Sequence, residues 1–180
     1  GDVYLGRLSE YKRFGKGYYN WEESGNSYYG MWLNHMKHGY GIKSFATGAS
    51  YLGEWRDDEM NGWGTYNFAS GKWYSGELRD GDFNGFGTFN WPDGTYIEGE
   101  FRDDEANGMA TKVWSDGSRY EGEWEEGYES GQGTRTYADG SSYTGEWKRG
   151  NRHGYGELSA GSNTAAYAGQ WDTDEQVGGI

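Results

Sequence analysis

The sequence predicts an all-β protein, an elongated twisted antiparallel sheet built from stacked β-hairpin repeats of 23 residues, and three observations lead there. An aromatic or aliphatic residue followed by x-Gly recurs at Tyr4, Tyr28, Tyr51, Tyr74, Ile97, Tyr120, Tyr143 and Tyr167, at intervals of 24, 23, 23, 23, 23, 23 and 24. Eleven residues after each of these stands a glycine: Gly15, Gly39, Gly62, Gly85, Gly108, Gly131, Gly154 and Gly178. Within each repeat, apolar and polar residues alternate with the period of a strand. A fixed period in the range of about 20 to 50 residues means stacked units, each too small to bury a face alone. Residues 1–180 therefore read as a single array, expected to be a window cut from a longer one.

The repeat spanning residues 51–73 serves as the type. Taking Tyr51 as position 0, Tyr51, Gly53 and Trp55 alternate with Leu52 and Glu54, a short strand over 0 to +4. Residues 62–68 form the second strand, with Gly62, Gly64, Tyr66 and Phe68 on one face and Trp63 and Thr65 on the other. Between them, +5 to +10 reads as a polar connection whose last residue is Asn61, Asn84 or Asn107, and elsewhere His38, Ser130 or His153. Asn accepts a left-handed backbone, so +10 is predicted to be a turn position. The second connection, Ser115-Asp116-Gly117-Ser118-Arg119, suits a three-residue loop with Gly117 left-handed. This loop is expected to pair Trp114 with Tyr120, Phe45 with Tyr51, Phe68 with Tyr74, Trp91 with Ile97 and Tyr137 with Tyr143, giving one aromatic face. The Trp at +4 then looks across at a Gly at +11 or +13, and the glycines act as seats for rings. On this reading Gly62→Val fills a seat and destabilises by about 1 to 3 kcal/mol.

Composition agrees. Aromatic residues make up 19% of the chain, with 34 Gly and 1 Pro, so the mean hydropathy of −1.08 does not signal disorder. The apolar surface is carried by rings. There is no cysteine, which removes disulfides and thiolate chemistry. No apolar run approaches the roughly 20 residues of a membrane span. The net charge of −13 divides as +2 over residues 1–50, −13 over 51–130 and −2 over 131–180. A field of that sign repels phosphate backbones, so nucleic acid is not an expected partner, and basic or apolar protein segments are.

The unit Tyr-x-Gly-Glu-Trp, six polar residues, Gly-x-Gly-Thr-x-x-Phe/Trp, x-Asp-Gly resembles the MORN (membrane occupation and recognition nexus) repeat over essentially the whole chain. Departures are Leu8 and Leu78 for the +4 Trp, Ile97 for Tyr, Ala110 for the second Gly and Ala160 for the +17 aromatic. Residues 154–166 run one residue long and lack Asp-Gly, which predicts an irregular last hairpin. The resemblance implies a scaffold of antiparallel hairpins whose grooved aromatic face holds a partner segment, often with self-association. It also points to the radial spoke and axonemal or protist cytoskeletal members, hence to a cytoplasmic, cytoskeletal setting in a cilium or flagellum.

A search for chemistry yields no candidate catalytic, cofactor or metal-binding residue. His38 and His153 fall at the turn position and His35 in the same connection, with no nucleophile placed beside them. Asp57, Asp58, Glu59, Asp103, Asp104 and Glu105 line one sheet edge without the spacing of a calcium loop. The Gly-x-Gly pairs lack a following helix and the phosphate-binding fingerprint. On the reverse face, Leu5, Tyr29, Met31, Tyr40, Ile42, Leu52, Trp63 and Phe86 give way to Glu98, Glu121, Glu123, Gln132 and Thr144. The expected function is a non-enzymatic interaction scaffold. Its expected contacts are Tyr28, Trp32, Tyr51, Trp55, Phe68, Tyr74, Trp91, Trp114, Tyr120 and Trp124 on the aromatic face, with Leu52, Trp63 and Phe86 on the reverse. The alternatives are a membrane or phosphoinositide tether, resting on Arg7, Lys12, Arg13, Lys16, Lys37 and Lys43 and opposed by 29 acidic against 16 basic residues, and a targeting module of a larger enzyme.

Overall fold

The computed structural model describes residues 1–161 and 165–178. The chain divides into two compact units, Gly1–Trp91 and Pro92–Ile180. The first contains β1 (Val3–Ser9), β2 (Lys12–Trp21), β3 (Asn26–Leu33), β4 (Met36–Ser44), β5 (Ser50–Arg56), β6 (Glu59–Asn67), β7 (Trp73–Arg79) and β8 (Asp82–Asn90). The second contains β9 (Tyr96–Arg102), β10 (Glu105–Val113), β11 (Arg119–Glu125), β12 (Tyr128–Thr136), β13 (Ser142–Lys148), β14 (Asn151–Ser159), β15 (Ala165–Asp172) and β16 (Glu175–Val177). Within each unit every strand pairs antiparallel with its neighbours in sequence, as in β5 with β6 and β11 with β12. The all-β hairpin array is thus present, and among the described residues no helix is long and apolar enough to cross a membrane.

The first connection differs from its sequence expectation. The long polar stretch is mostly strand: Arg56 pairs with Glu59 and Trp55 with Met60, leaving Asp57 and Asp58 as a two-residue turn with φ of 50° and 75°. Positive φ at both central residues is the type I′ geometry that matches strand twist. Asn61, His38 and His153 lie in strands rather than at a left-handed turn position; His35 is in the turn, at φ 72°. The left-handed residue one step further on is Gly62, at φ 62°, inside a bulge where Gly53 faces Gly64 but Trp55 already faces Met60. The Glu54 carboxylate closes this bulge, accepting from the Trp63 backbone N–H at 3.2 Å. Gly62 is therefore required by backbone conformation and by the carboxylate lying against it, not as a seat for a ring.

The second connection is the expected three-residue loop. Gly71 sits at φ 84°, its N–H donates to the Phe68 carbonyl at 3.0 Å, and the Phe68 N–H donates to the Lys72 carbonyl at 2.9 Å. Pairing is displaced by two residues from expectation: Tyr66 faces Tyr74, Lys43 faces Tyr51, Lys112 faces Tyr120 and Arg135 faces Tyr143. A shift of two preserves the face, so Phe45, Phe68, Trp114 and Tyr137 still share the side of the Tyr rings. The irregular hairpin expected over 154–166 falls partly on 162–164, outside the described residues; up to there, β14 and β15 shift register between Leu158 and Ser159.

Hydrophobic burial concentrates on this one face. Tyr51 lies flat along its own unit, over Gly53 and Gly64, where an added Cβ would come within 2.4 Å of the ring. Its hydroxyl donates to the Glu54 carbonyl at 3.0 Å, at the bulge where the ladder is interrupted. Trp55 packs edge-on against Tyr51 at 5.2 Å and against Tyr28 of the preceding repeat at 5.4 Å, and its indole N–H donates to the Gly41 carbonyl at 3.1 Å. The Trp does stand opposite the +11 glycine of the preceding repeat, as Trp55 faces Gly39, but the glycines covered by a ring are seats for the Tyr at position 0, and the Trp bridges to the previous repeat. Such ring pairs contribute about 0.5 to 1.5 kcal/mol each beyond area burial.

Candidate functional site

Two surfaces remain once the ladder is assembled. On the aromatic face, the +15 and +17 side chains stand beside the Tyr/Trp rungs and stay half-buried. In the first unit most of these are rings set on rings, Tyr66 on Phe68 at 4.7 Å and Phe89 on Trp91 at 4.6 Å, with Lys43 Nζ 4.6 Å from the Phe45 centroid as the exception. Leu78, in place of the +4 Trp, leaves room that Phe83 fills by stacking on Tyr74 at 3.8 Å with an interplanar angle of 12°. In the second unit the same positions carry cations on rings: Lys112 Nζ is 4.8 Å from the Trp114 centroid and the Arg135 guanidinium carbon 4.1 Å.

The reverse face is organised as a lane of directly opposed residues. In the first unit Leu5 faces Tyr18, Tyr18 faces Tyr29, Tyr29 faces Ile42 and Ile42 faces Leu52, after which Thr65, Ser75 and Thr88 follow. The lane of the second unit runs Glu98, Thr111, Glu121, Thr134, Thr144 and Glu157. On the same face Trp63, two residues from Thr65 on β6, and Phe86, two residues from Thr88 on β8, are 56% and 57% exposed.

The residues expected to contact partners fall into three groups. Tyr28, Tyr51, Tyr74 and Tyr120 are 0% exposed, and Trp32, Trp55 and Trp124 are at most 4% exposed; these rings are rungs covered by the chain itself. Phe68, Trp91 and Trp114 are half-buried, and Leu52, Trp63 and Phe86 are open to solvent on the reverse face. The parts played by two sets were not read from the sequence, although Glu123, Arg13, Lys37 and Lys43 figured there in other roles. One is the bulge-closing Glu54, Glu77, Glu100, Glu123 and Glu146, which recur at the repeat period and accept the backbone N–H nine residues on. The other is the cations at +9 and +15, Arg13, Lys37, Lys43, Lys112, Arg135 and Arg152, whose signal was their shared parity with the Tyr.

Electrostatics follow burial. Burial raises the phenol pKa of Tyr28, Tyr51 and Tyr120 well above the ordinary 10.0, with nearby carboxylates (Asp58, Glu54 and Glu129) adding to it. Tyr143 is pushed up to about 12 by burial, against the pull of Arg152. Burial lowers the ammonium pKa of Lys43, helped by Lys37, and that of Lys112, where Glu129 opposes it. At the turn edge, burial disfavours ionised Asp58, but the Lys37 N–H and ammonium, each 2.9 Å from its carboxylate, outweigh this and hold its pKa below the usual range. Among the described residues no three His, Asp or Glu side chains converge as a metal site would.

Comparison with known proteins agrees with the geometry. No curated protein matches the chain. Among solved structures, the TCP10c domain of Drosophila melanogaster Sas-4 is similar with a TM-score of 0.51 at 13% identity, covering 92% of this chain and 96% of that one. The G-box domain of the microcephaly protein CPAP follows with a TM-score of 0.50 at 15% identity, over 81% and 75%. At these identities the likeness is one of fold. The MORN repeat model matches residues 28–50, 51–73, 74–96, 98–119, 120–142 and 143–164, so the chain belongs to the MORN-repeat family.

Proposed function

We propose that the chain is a non-enzymatic protein-interaction scaffold of the cytoskeleton, with the axoneme of a cilium or flagellum as its setting. The observation that carries this is the apolar lane from Leu5 to Leu52, with Trp63 and Phe86 further along the same face, all left open on the reverse side of the sheet. Exposed apolar patches of this kind mark interaction sites. Partner segments meet Leu52, Trp63 and Phe86 there and Phe68, Trp91 and Trp114 on the aromatic face, while the buried Tyr and Trp rungs hold the shape. Self-association through the same lane is a second use of it. Basic segments suit the Glu lane of the second unit. The cytoskeletal setting draws on the family's cytoskeletal members and on the CPAP G-box domain, which shares the fold and for which a role in centriole elongation is suggested.

The membrane alternative is weaker on this geometry. Arg13, Lys37 and Lys43 share the aromatic face, and Arg13 and Lys37 are already engaged by His35 and Asp58, whereas Lys16 lies on the reverse face over Tyr29. These charges do not form one patch. Cross-linking mass spectrometry of the tagged chain in ciliated-cell extract tests the proposal. Cross-links to axonemal proteins that cluster on the reverse face, and vanish in a Leu52→Ser/Trp63→Ser variant, are the expected result; salt-sensitive sedimentation with anionic vesicles and no protein cross-links would overturn it.

A further inference from the structure

The chain carries −13 overall, yet the charged side chains half-buried on its aromatic face are mostly cationic. Several are engaged within the array: Arg13 donates to the His35 carbonyl at 2.9 Å, Lys37 pairs with Asp58 at 2.9 Å and Arg152 with Asp174 at 3.0 Å. Arg135 is different. Like that of Arg13, which lies 4.5 Å from the Tyr19 centroid and 4.4 Å from that of Trp32, its guanidinium carbon packs on two rings, 4.1 Å from Trp114 and 5.4 Å from Tyr137. Its buried Nε has no hydrogen-bond partner among the described residues, and unlike that of Arg13 its guanidinium is not tied to a carbonyl of the array. Lys112 approaches the same indole, at 4.8 Å. Register places Lys112 opposite Tyr120 and Tyr120 opposite Arg135, so the two cations stand about 10 Å apart at their Cα atoms, with a fully buried ring between. The nearby carboxylates are Glu129, 9% exposed and beside Lys112, and Asp116, which already accepts from the Ser118 N–H and hydroxyl at 2.8 and 2.6 Å.

We propose that Arg135, Lys112, Trp114 and Tyr137 form a seat for a carboxylate side chain on an acidic, apolar-flanked segment of a partner protein. Packing against two rings orients the guanidinium, and a guanidinium so fixed grips a carboxylate in two parallel hydrogen bonds. The flanking apolar residues of the segment lie along Trp114 and Tyr137. Screening decides between this local chemistry and the overall negative field. At physiological ionic strength exposed charges are largely screened beyond about 8 Å, and half-buried cations are screened far less. A basic segment would set like charge against both cations. In the first unit the same positions carry rings alone at Tyr66, Phe68, Phe89 and Trp91, and a lysine with no guanidinium fork at Lys43 on Phe45.

The seat rests on the reading that the aromatic face receives protein segments, and the test separates the two. A short fluorescein-labelled peptide alternating Glu with Leu is titrated with the whole chain at physiological salt and read by anisotropy, beside Gln–Leu and Lys–Leu counterparts. The Glu–Leu peptide is expected to bind tightest, and Arg135→Gln to weaken it about tenfold or more. Equal binding of the Gln–Leu peptide with no effect of Arg135→Gln keeps the aromatic-face reading and refutes the acidic seat. No binding by any peptide refutes both. Tighter binding to vesicles containing phosphatidylinositol phosphate, lost in Arg135→Gln, overturns the peptide assignment in favour of a headgroup. Should Arg135→Gln lower the melting temperature, Arg135→Lys carries the test, because it keeps the charge and loses the fork: weaker binding of the Glu–Leu peptide supports the seat, unchanged binding refutes it.

Discussion

The units Gly1–Trp91 and Pro92–Ile180 are built from one repeat and differ in what they leave open. Residues 1–91 carry 9 basic against 11 acidic residues, and residues 92–180 carry 7 against 18. On one face the first unit sets rings on rings at Tyr66 and Phe89 and a lysine on a ring at Lys43, with an apolar lane on the other; the second sets cations on rings at Lys112 and Arg135 and carries Glu and Thr in its lane. Both keep the Tyr on its glycines and a Glu in the bulge. The lesson is a division of labour within 23 residues. Positions 0, +2, +3, +11 and +13 form the joint, and +1, +12, +14, +15 and +17 are free to be decorated.

The largest expected effect should be the same in both units, because it strikes the joint. Gly64→Val and Gly133→Val each drive a side chain into the phenol that lies over the glycine, Tyr51 and Tyr120 respectively. Each is expected to cost about 3 kcal/mol or more in urea denaturation; a large loss in one unit only would break the equivalence. Next, Leu78→Trp restores the repeat's own residue where Phe83 already stacks on Tyr74, and should destabilise by about 1 to 3 kcal/mol through overpacking. Combining it with Phe83→Met should recover part of that loss, read as a positive coupling in a double-mutant cycle. Glu54→Ala and Glu123→Ala should each cost about 0.5 to 1.5 kcal/mol, the value of one hydrogen bond at a solvent-accessible bulge.

The smallest effects are in pH. Protonated phenols are favoured in the folded state, so the Tyr rungs' contribution is fully present below 10.0 and is lost as pH rises through their raised values, about 12 for Tyr143. Thermal melting should fall above pH 10 in the wild type, and less in Tyr143→Phe. Asp58 acts in the opposite sense: its depressed carboxyl contributes above its ordinary 3.8, and the contribution fades as pH falls below that. Its partly exposed pair with Lys37 is worth less than about 1 kcal/mol, so Asp58→Asn should flatten the acid limb only slightly.

Period, hairpin and the single aromatic face were legible because side-chain parity survives errors of two residues. Register was not: Trp114 pairs through its backbone with Ser118, not Tyr120. The first turn was hidden because Glu59 and Asn61, strand residues either side of Met60, are polar and resemble a loop, and because Asp57-Asp58 lacks the Asn-Gly signature of a type I′ turn. Gly62 looked like Gly64 in sequence; a left-handed φ under a carboxylate and a flat seat under a ring demand the same residue for different reasons. At the site, Leu52, Trp63 and Phe86 were correctly placed on an open face, whereas the exposure of Tyr51 or Trp124 depends on neighbours one repeat away. Arg135 escaped notice because its rings are contributed by two strands.

At four of the first turns a backbone N–H reaches back to the carbonyl at +9 of the preceding repeat: Asp58 to Lys37 at 3.0 Å, Gly81 to Met60 at 3.0 Å, Gly127 to Ala106 at 3.1 Å and Gly150 to Glu129 at 2.8 Å. Donor and acceptor are main-chain groups throughout, so the clasp is indifferent to the side chain at +9, which ranges from Lys to Met, Ala and Glu. Any repeat can therefore follow any other. Gain or loss of one whole 23-residue unit presents the next turn with an identical acceptor, which makes array length a quantity that evolution can adjust without redesigning a joint, while a change of one or two residues misses the clasp.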